Sequence, residues 1–69
     1  MAGLTARELQ IFQRIGEGRG TSEIATELGL SVKTVSAHRE NLKMKLGAPN
    51  ASDLIRQAVA WVLARGAAG

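Results

Sequence analysis

Three consecutive residues, Gly29-Leu30-Ser31, do most to limit what this chain can become. Gly29 takes a left-handed backbone without steric cost and so ends the helical stretch before it. Ser31, two positions on, is a helix cap whose hydroxyl accepts an orphan backbone N–H. A stop followed so closely by a start leaves room for neither a strand nor a loop. Two helices must meet there at a sharp angle, with Glu27 to Ser31 as the turn of a helix–turn–helix.

The same punctuation divides the rest of the chain. Leu4-Thr5-Ala6-Arg7-Glu8-Leu9 carries a complete start: Thr5 caps, Glu8 is its capping-box partner, and Leu4 and Leu9 have staple spacing. Leu9, Phe12 and Ile15-Gly16 follow at helical spacing until Glu17-Gly18 closes the helix. Thr21 or Ser22 caps a short second helix through Leu28, with Ile24, Ala25 and Leu28 as its inner stripe. The third helix runs from Val32 to about Leu46, where Gly47 stops it. Asn50, just after Pro49, caps a fourth from Ala51 to about Arg65, ended by Gly66. No stretch alternates like a half-buried strand. The expectation is an all-α, compact four-helix bundle over residues 4–65, with 1–3 and 66–69 as frayed ends.

A chain of 69 residues is a single small domain, and its tight boundaries fit a piece of a longer protein. With no Cys there is no disulfide or thiolate metal site, and the lone His38 cannot assemble zinc ligation by itself. No cofactor is implied. No apolar run reaches the ~18–20 residues of a membrane span, and because the start lacks the basic and apolar regions of a signal peptide no leader is expected. A cytoplasmic location with no membrane partner fits these features. The net charge of +3 and pI near 10.2 give a mild basic bias, suited to a polyanion such as nucleic acid. No phosphate loop, paired carboxylates or nucleophile–base pattern argues for an enzyme, and so small a bundle lacks room for a deep cleft.

Helix three is the most informative element. Val35, His38, Leu42 and Leu46 recur at +3, +4 and +4 and form one inward stripe. The opposite face carries Lys33, Ser36, Ala37, Glu40, Lys43 and Met44. Small side chains there allow close approach, donors reach base edges, and cations meet phosphates in a major groove about 12 Å wide. A polar, mixed-charge face is also what any solvated helix shows, so the face alone does not establish DNA binding.

Several spaced strings resemble a known family: Leu4-Thr5-x-Arg7-Glu8, Gly18, Glu23-Ile24-Ala25-x-x-Leu28, Leu30-Ser31-Val32-Lys33-Thr34-Val35-Ser36-x-His38, and Asn41-Leu42-x-x-Lys45-Leu46-Gly47. Over residues 4–63 the chain is similar to LuxR/FixJ/NarL-type (GerE-like) helix-turn-helix domains. Ser36 to Leu42, with Leu54 to Trp61, look most like the output domain of two-component response regulators. The resemblance implies four helices, the third reading double-stranded DNA in the major groove and the fourth supporting a homodimer on inverted repeats. RNA polymerase is a further partner that it brings into view. Family base contacts fall at positions matching Lys33, Ser36, Ala37 and Glu40. Ser36 and Glu40 stand where many relatives are basic, and Ser22 where relatives often have Lys, which implies weaker phosphate attraction. Quorum-sensing regulators and sigma-like factors share this DNA chemistry, and a small protein-interaction module is the remaining alternative.

Each candidate has two readings. Lys33 is a base or phosphate donor, or a solvated lysine. Ser36 and Ala37 are close-approach residues, with Ala37 able to touch a thymine methyl, or simply helix filler. Glu40 accepts from cytosine N4 or pairs with Lys43, the pair being slightly favoured. Arg39 and Lys43 suit phosphates. Thr34 bonds a phosphate or its own helix backbone. Thr21 and Ser22 could offer backbone N–H groups to phosphate. His38 reads as a packed, hydrogen-bonded structural residue. On helix four, Leu54, Ala58, Trp61 and Val62 are assigned to a dimer interface, against the alternative that they pack on helix one.

Overall fold

A computed structural model describes residues 3–68. Its elements are α1 (Ala6–Gly16), α2 (Thr21–Leu28), α3 (Val32–Leu46) and α4 (Ala51–Ala68). No strand occurs among the described residues. The all-α, four-helix expectation therefore holds, and three of the four starts fall where the caps place them.

The capping box at α1 is complete. Glu8 N–H donates to Thr5 Oγ1 at 3.1 Å, and Thr5 N–H donates to Glu8 Oε1 at 2.9 Å. At α3, Thr34 N–H donates to Ser31 Oγ at 3.0 Å; at α4, Asp53 N–H donates to Asn50 Oδ1 at 2.8 Å. The second helix starts one residue earlier than expected. Gly20 is its cap rather than Thr21 or Ser22, because Glu23 reaches back to accept the Gly20 N–H at 3.0 Å and supplies the carboxylate half of a box.

The turn between α2 and α3 behaves as its residues require. Gly29 sits at φ 67°, and Leu30 N–H donates at 2.9 Å to the Ala25 carbonyl, which also accepts from the Gly29 N–H, so that the chain turns tightly off the end of α2. At its other end the chain departs from expectation: α4 does not stop at Gly66 but runs to Ala68. A single helical glycine costs only about 1 kcal/mol relative to alanine, and alanines follow it. Of the ends expected to fray, Met1, Ala2 and Gly69 lie outside the described residues.

The core comprises Ile11, Phe12 and Ile15 of α1, Ile24 and Ala25 of α2, Val35 and Leu42 of α3, Leu54 and Ala58 of α4, and Ala48 before α4. Leu4, Leu28, Leu30, Leu46 and Trp61 pack against it, half-buried. Leu9, placed on the inner stripe by spacing, is only half-buried, and Ile11 takes the interior position instead. Leu54 and Ala58, assigned from sequence to a dimer interface, are fully buried within their own chain. They close the core against α1 and have no surface left for a partner. Trp61 does the same in part, its ring 5.6 Å from that of Phe12 and tilted by 52°. The Arg65 guanidinium covers the indole at 4.6 Å.

Helices α1 and α4 meet closest at Gly16. A Cβ there would run into the Ala58 carbonyl oxygen and lie 2.6 Å from Val62 Cγ2. Gly16 is therefore the residue that lets two helix backbones touch. Gly16→Ala should gain a little helix propensity and lose more by pushing α4 away. A net destabilisation of about 1–3 kcal/mol is expected in urea unfolding; unchanged or higher stability would contradict the close approach.

Candidate nucleic-acid interface

The interface is set by how α3 is rotated about its axis. Val35 and Leu42, two turns apart, are both fully buried. Burying such side chains contributes roughly 1.5–3 kcal/mol each. Turning α3 by half a turn would forfeit both, a loss comparable to the whole stability of a small domain. With that phase fixed, Lys33, Ser36, Ala37, Glu40 and Met44 all face solvent on one side. Val32, at the start of the helix, is 48% exposed beside them.

Glu40 pairs with Lys43, Oε2 lying 2.7 Å from Nζ. The Thr34 hydroxyl is drawn into the cap, where Oγ1 accepts from Ser31 Oγ at 2.9 Å, instead of bonding the helix backbone. His38 is half-buried on the inward stripe, and no hydrogen bond from its ring to another side chain or to backbone is found among the described residues. Arg39 leaves the face and lines a cleft of about 250 Å³ with Ile15, Arg19, Gly20, Thr21 and Ile55. The fold thus brings Thr21 and Arg39 together beside α3. It does not bring Ser22 with them: that residue borders a different hollow, walled by Glu23, Thr26 and Glu27, where the carboxylates are unsuited to phosphate.

Sequence reasoning passed over the ion pairs that steady this face. Glu8 is the one buried charged residue among those described, 3% exposed, and its carboxylate accepts from Lys45 Nζ at 2.7 Å. The pair ties the first turn of α1 to the last turn of α3. Arg14 and Arg19 both grip Glu27, at 3.0 and 2.7 Å, and Arg19 also holds Glu17 at 2.7 Å. This fastens α2 to α1 and the loop between them. Asp53 pairs with Arg56 within α4. Nothing local in the sequence marks Glu8–Lys45, because its partners are 37 positions apart.

These pairs also decide where the net charge resides. They consume Arg14, Arg19, Lys43, Lys45 and Arg56. Among the described residues that leaves Arg7, Lys33, Arg39 and Arg65 without a carboxylate partner, and Glu23 without a cation. Two of those four cations belong to α3.

The charged partners lower three carboxyls below their ordinary range. The Lys45 ammonium and the Thr5 N–H hold Glu8 down; the Arg19 guanidinium holds Glu27 down; Gln57 and Arg56 hold Asp53 down. The Glu27 carboxylate correspondingly raises Arg19. A carboxyl lowered on folding stabilises the folded state above its unfolded pKa of about 4, and that contribution disappears as pH falls through the lower folded value. Stability should therefore be level near neutrality and drop below about pH 4. Glu8→Gln keeps an acceptor for Thr5 but loses the charge facing Lys45. Thermal unfolding across pH 3–7 should show this variant less stable than the parent at neutrality, with the gap closing in acid; a constant gap would remove the ion pair as its cause.

Set beside known proteins, residues 2–58 match the family described as GerE: Bacterial regulatory proteins, luxR family. The chain is 50% identical over 54 residues to the transcriptional regulatory protein UhpA of Escherichia coli strain K12, covering 78% of this chain and 28% of that protein. It is 51% identical over 51 residues to UhpA of Salmonella typhimurium, covering 74% of this chain and 26% of the relative. To the oxygen regulatory protein NreC of Staphylococcus aureus strain JH9 it is 43% identical over 56 residues, 81% of this chain and 26% of the relative. The chain thus spans about a quarter of the length of these curated relatives. No solved structure matches it.

Proposed function

The chain belongs to the luxR family of bacterial regulatory proteins, a family of DNA-binding helix-turn-helix transcription regulators and not of enzymes, and from that premise we propose that it is the output domain of a response regulator, binding a specific double-stranded DNA site with α3 in the major groove. The observation that carries this reading is the sidedness of α3. Lys33, Ser36, Ala37 and Glu40 are all exposed on the face opposite the fully buried Val35 and Leu42.

The parts have distinct roles. Lys33 reaches base edges or the adjoining phosphate from the first turn of α3, where the helix dipole also favours an anion. Ser36 and Ala37 keep the helix close to the base pairs. Arg39 and Thr21, brought together in one cleft, meet the sugar–phosphate backbone. Lys43 adds a cation while it pairs Glu40. None of the described helices is long and apolar enough to cross a membrane.

A second copy completes the assembly on an inverted repeat. With Leu54 and Ala58 consumed by the core, the surface left on α4 is Ile55 and Leu63, 43% and 67% exposed, together with half-buried Val59 and Val62. Ile55, Val59 and Leu63 recur every four residues and make one stripe. RNA polymerase would be contacted elsewhere on the longer regulator or on the faces left open here.

Two measurements test these roles. Lys33→Ala should lower affinity for a selected operator by about 1–3 kcal/mol, and log K for the parent should fall linearly with log salt concentration. A salt-independent affinity would remove the phosphate contacts from the account. Leu63→Glu should weaken binding to a two-half-site duplex several-fold while sparing a single half-site; equal effects on both would dismiss the α4 dimer.

A further inference from the structure

The outward face of α3 is not uniform. At 3.6 residues per turn, Lys33 and Met44 fall nearest the line opposite Val35 and Leu42, with Glu40 displaced from it toward Arg39 and Ala37 displaced the other way. Ser36 and Lys43 flank them on the side of Arg39 and the cleft at the start of α2. Ala37 and Met44 lie on the side of Glu40 away from Ser36 and Lys43, and both are exposed. Met44 is 76% exposed, an apolar side chain that the core does not use, one turn beyond a carboxylate. Glu40 itself is 69% exposed; Lys43 holds its Oε2 at 2.7 Å, and no described residue bonds Oε1.

Resting on the reading that α3 enters the major groove, we propose that Glu40, Ala37 and Met44 together select a cytosine and accept a methyl group on its C5. In the major groove cytosine presents the N4 amino donor, whereas thymine presents the O4 acceptor beside its C5 methyl. The free oxygen of Glu40 accepts from N4 and is repelled by O4. Adenine offers an amino donor too, but its N7 acceptor lies beside it and disfavours a carboxylate. On the pyrimidine ring C5 lies next to C4, displaced toward its own strand. With the carboxylate on the Arg39 side of the face, a cytosine whose own strand runs along the Ala37–Met44 side has its C5 brought against those two residues. Thymine satisfies the apolar flank and fails the carboxylate; cytosine satisfies the carboxylate; 5-methylcytosine satisfies both. The unbranched, polarizable methionine side chain adapts to a hydrogen or a methyl at that point. Lys43 explains how an acidic residue is tolerated between two rows of phosphates: it cancels the charge that the backbone would otherwise repel.

The test uses the 69-residue chain. Sites are first selected from a random duplex pool. Each selected cytosine is then replaced in turn by thymine or 5-methylcytosine, and affinities are measured at fixed salt. At one position thymine is expected to weaken binding at least tenfold, while 5-methylcytosine binds as tightly as cytosine or up to several-fold tighter. Glu40→Gln, which carries both a donor and an acceptor, should narrow the cytosine–thymine gap at that position. Met44→Gln should erase any difference between cytosine and 5-methylcytosine. An unchanged cytosine–thymine gap in Glu40→Gln, or a tenfold loss on methylation at that position, would overturn the inference. Salt-sensitive binding without base preference would overturn it too while leaving DNA binding intact, whereas no binding to any duplex would sink the groove reading itself.

Discussion

Val35 and Leu42 hold the molecule's function in place without touching a ligand. Their burial fixes the rotation of α3, and every outward residue inherits its position from that rotation. The energetics are one-sided. Two fully buried aliphatic side chains are together worth roughly 3–6 kcal/mol, while the exposed ion pair between Glu40 and Lys43 is worth a few tenths. The apolar stripe therefore sets the geometry, and the polar face is free to vary in chemistry without disturbing the fold. That separation lets one bundle present different readers on a constant support.

Around this axis the ion pairs act as braces. Glu8–Lys45 joins the first turn of α1 to the last turn of α3, and Arg14 and Arg19 converge on Glu27 to tie α2 to the chain before it. A buried carboxylate is costly unless it is paired and hydrogen-bonded, and here Glu8 Oε1 accepts from both the Thr5 N–H and the Lys45 ammonium. The same pairs remove cations from circulation. The electrostatic footprint of a chain with nine basic residues is consequently much narrower than its composition suggests, and half of the four cations left unpaired among the described residues belong to α3, Lys33 on its exposed face and Arg39 beside the cleft.

What could be read from the residues was whatever depends on a few neighbours. The Thr5–Glu8 box, the Gly29 stop, the Ser31 and Asn50 caps and the alternation of faces along α3 all follow from contacts within four or five positions. What escaped was non-local. Glu8 could be seen as a cap but not as half of a buried pair with Lys45. Leu54 and Ala58 looked like surplus apolar surface because their partners on α1 lie some forty positions upstream. Gly16 was read only as a helical-spacing position ahead of the Glu17-Gly18 stop, and the crossing of α4 over it gives its lack of a side chain a purpose. The second helix was misplaced by one residue for a lesser reason: Gly20 has no side chain to advertise itself as a cap, and the signal lay in Glu23. The site residues on α3 were legible as a face, but the split of that face into a polar and an apolar flank needed the burial of Val35 and Leu42 to fix its centre.

The contact between Gly16 and Ala58, with Phe12 on Trp61 beside it, has a consequence for how the protein is made. During synthesis α1 leaves the ribosome before α4, yet α4 supplies most of the cover for its apolar stripe. The helix–turn–helix can form while the chain is still growing, because α2 and α3 are neighbours in sequence. Closing the bundle must wait until α4 has emerged. Ile11, Phe12 and Ile15 spend that interval without their final cover, which makes the nascent chain, rather than the finished domain, the stage most exposed to misassociation.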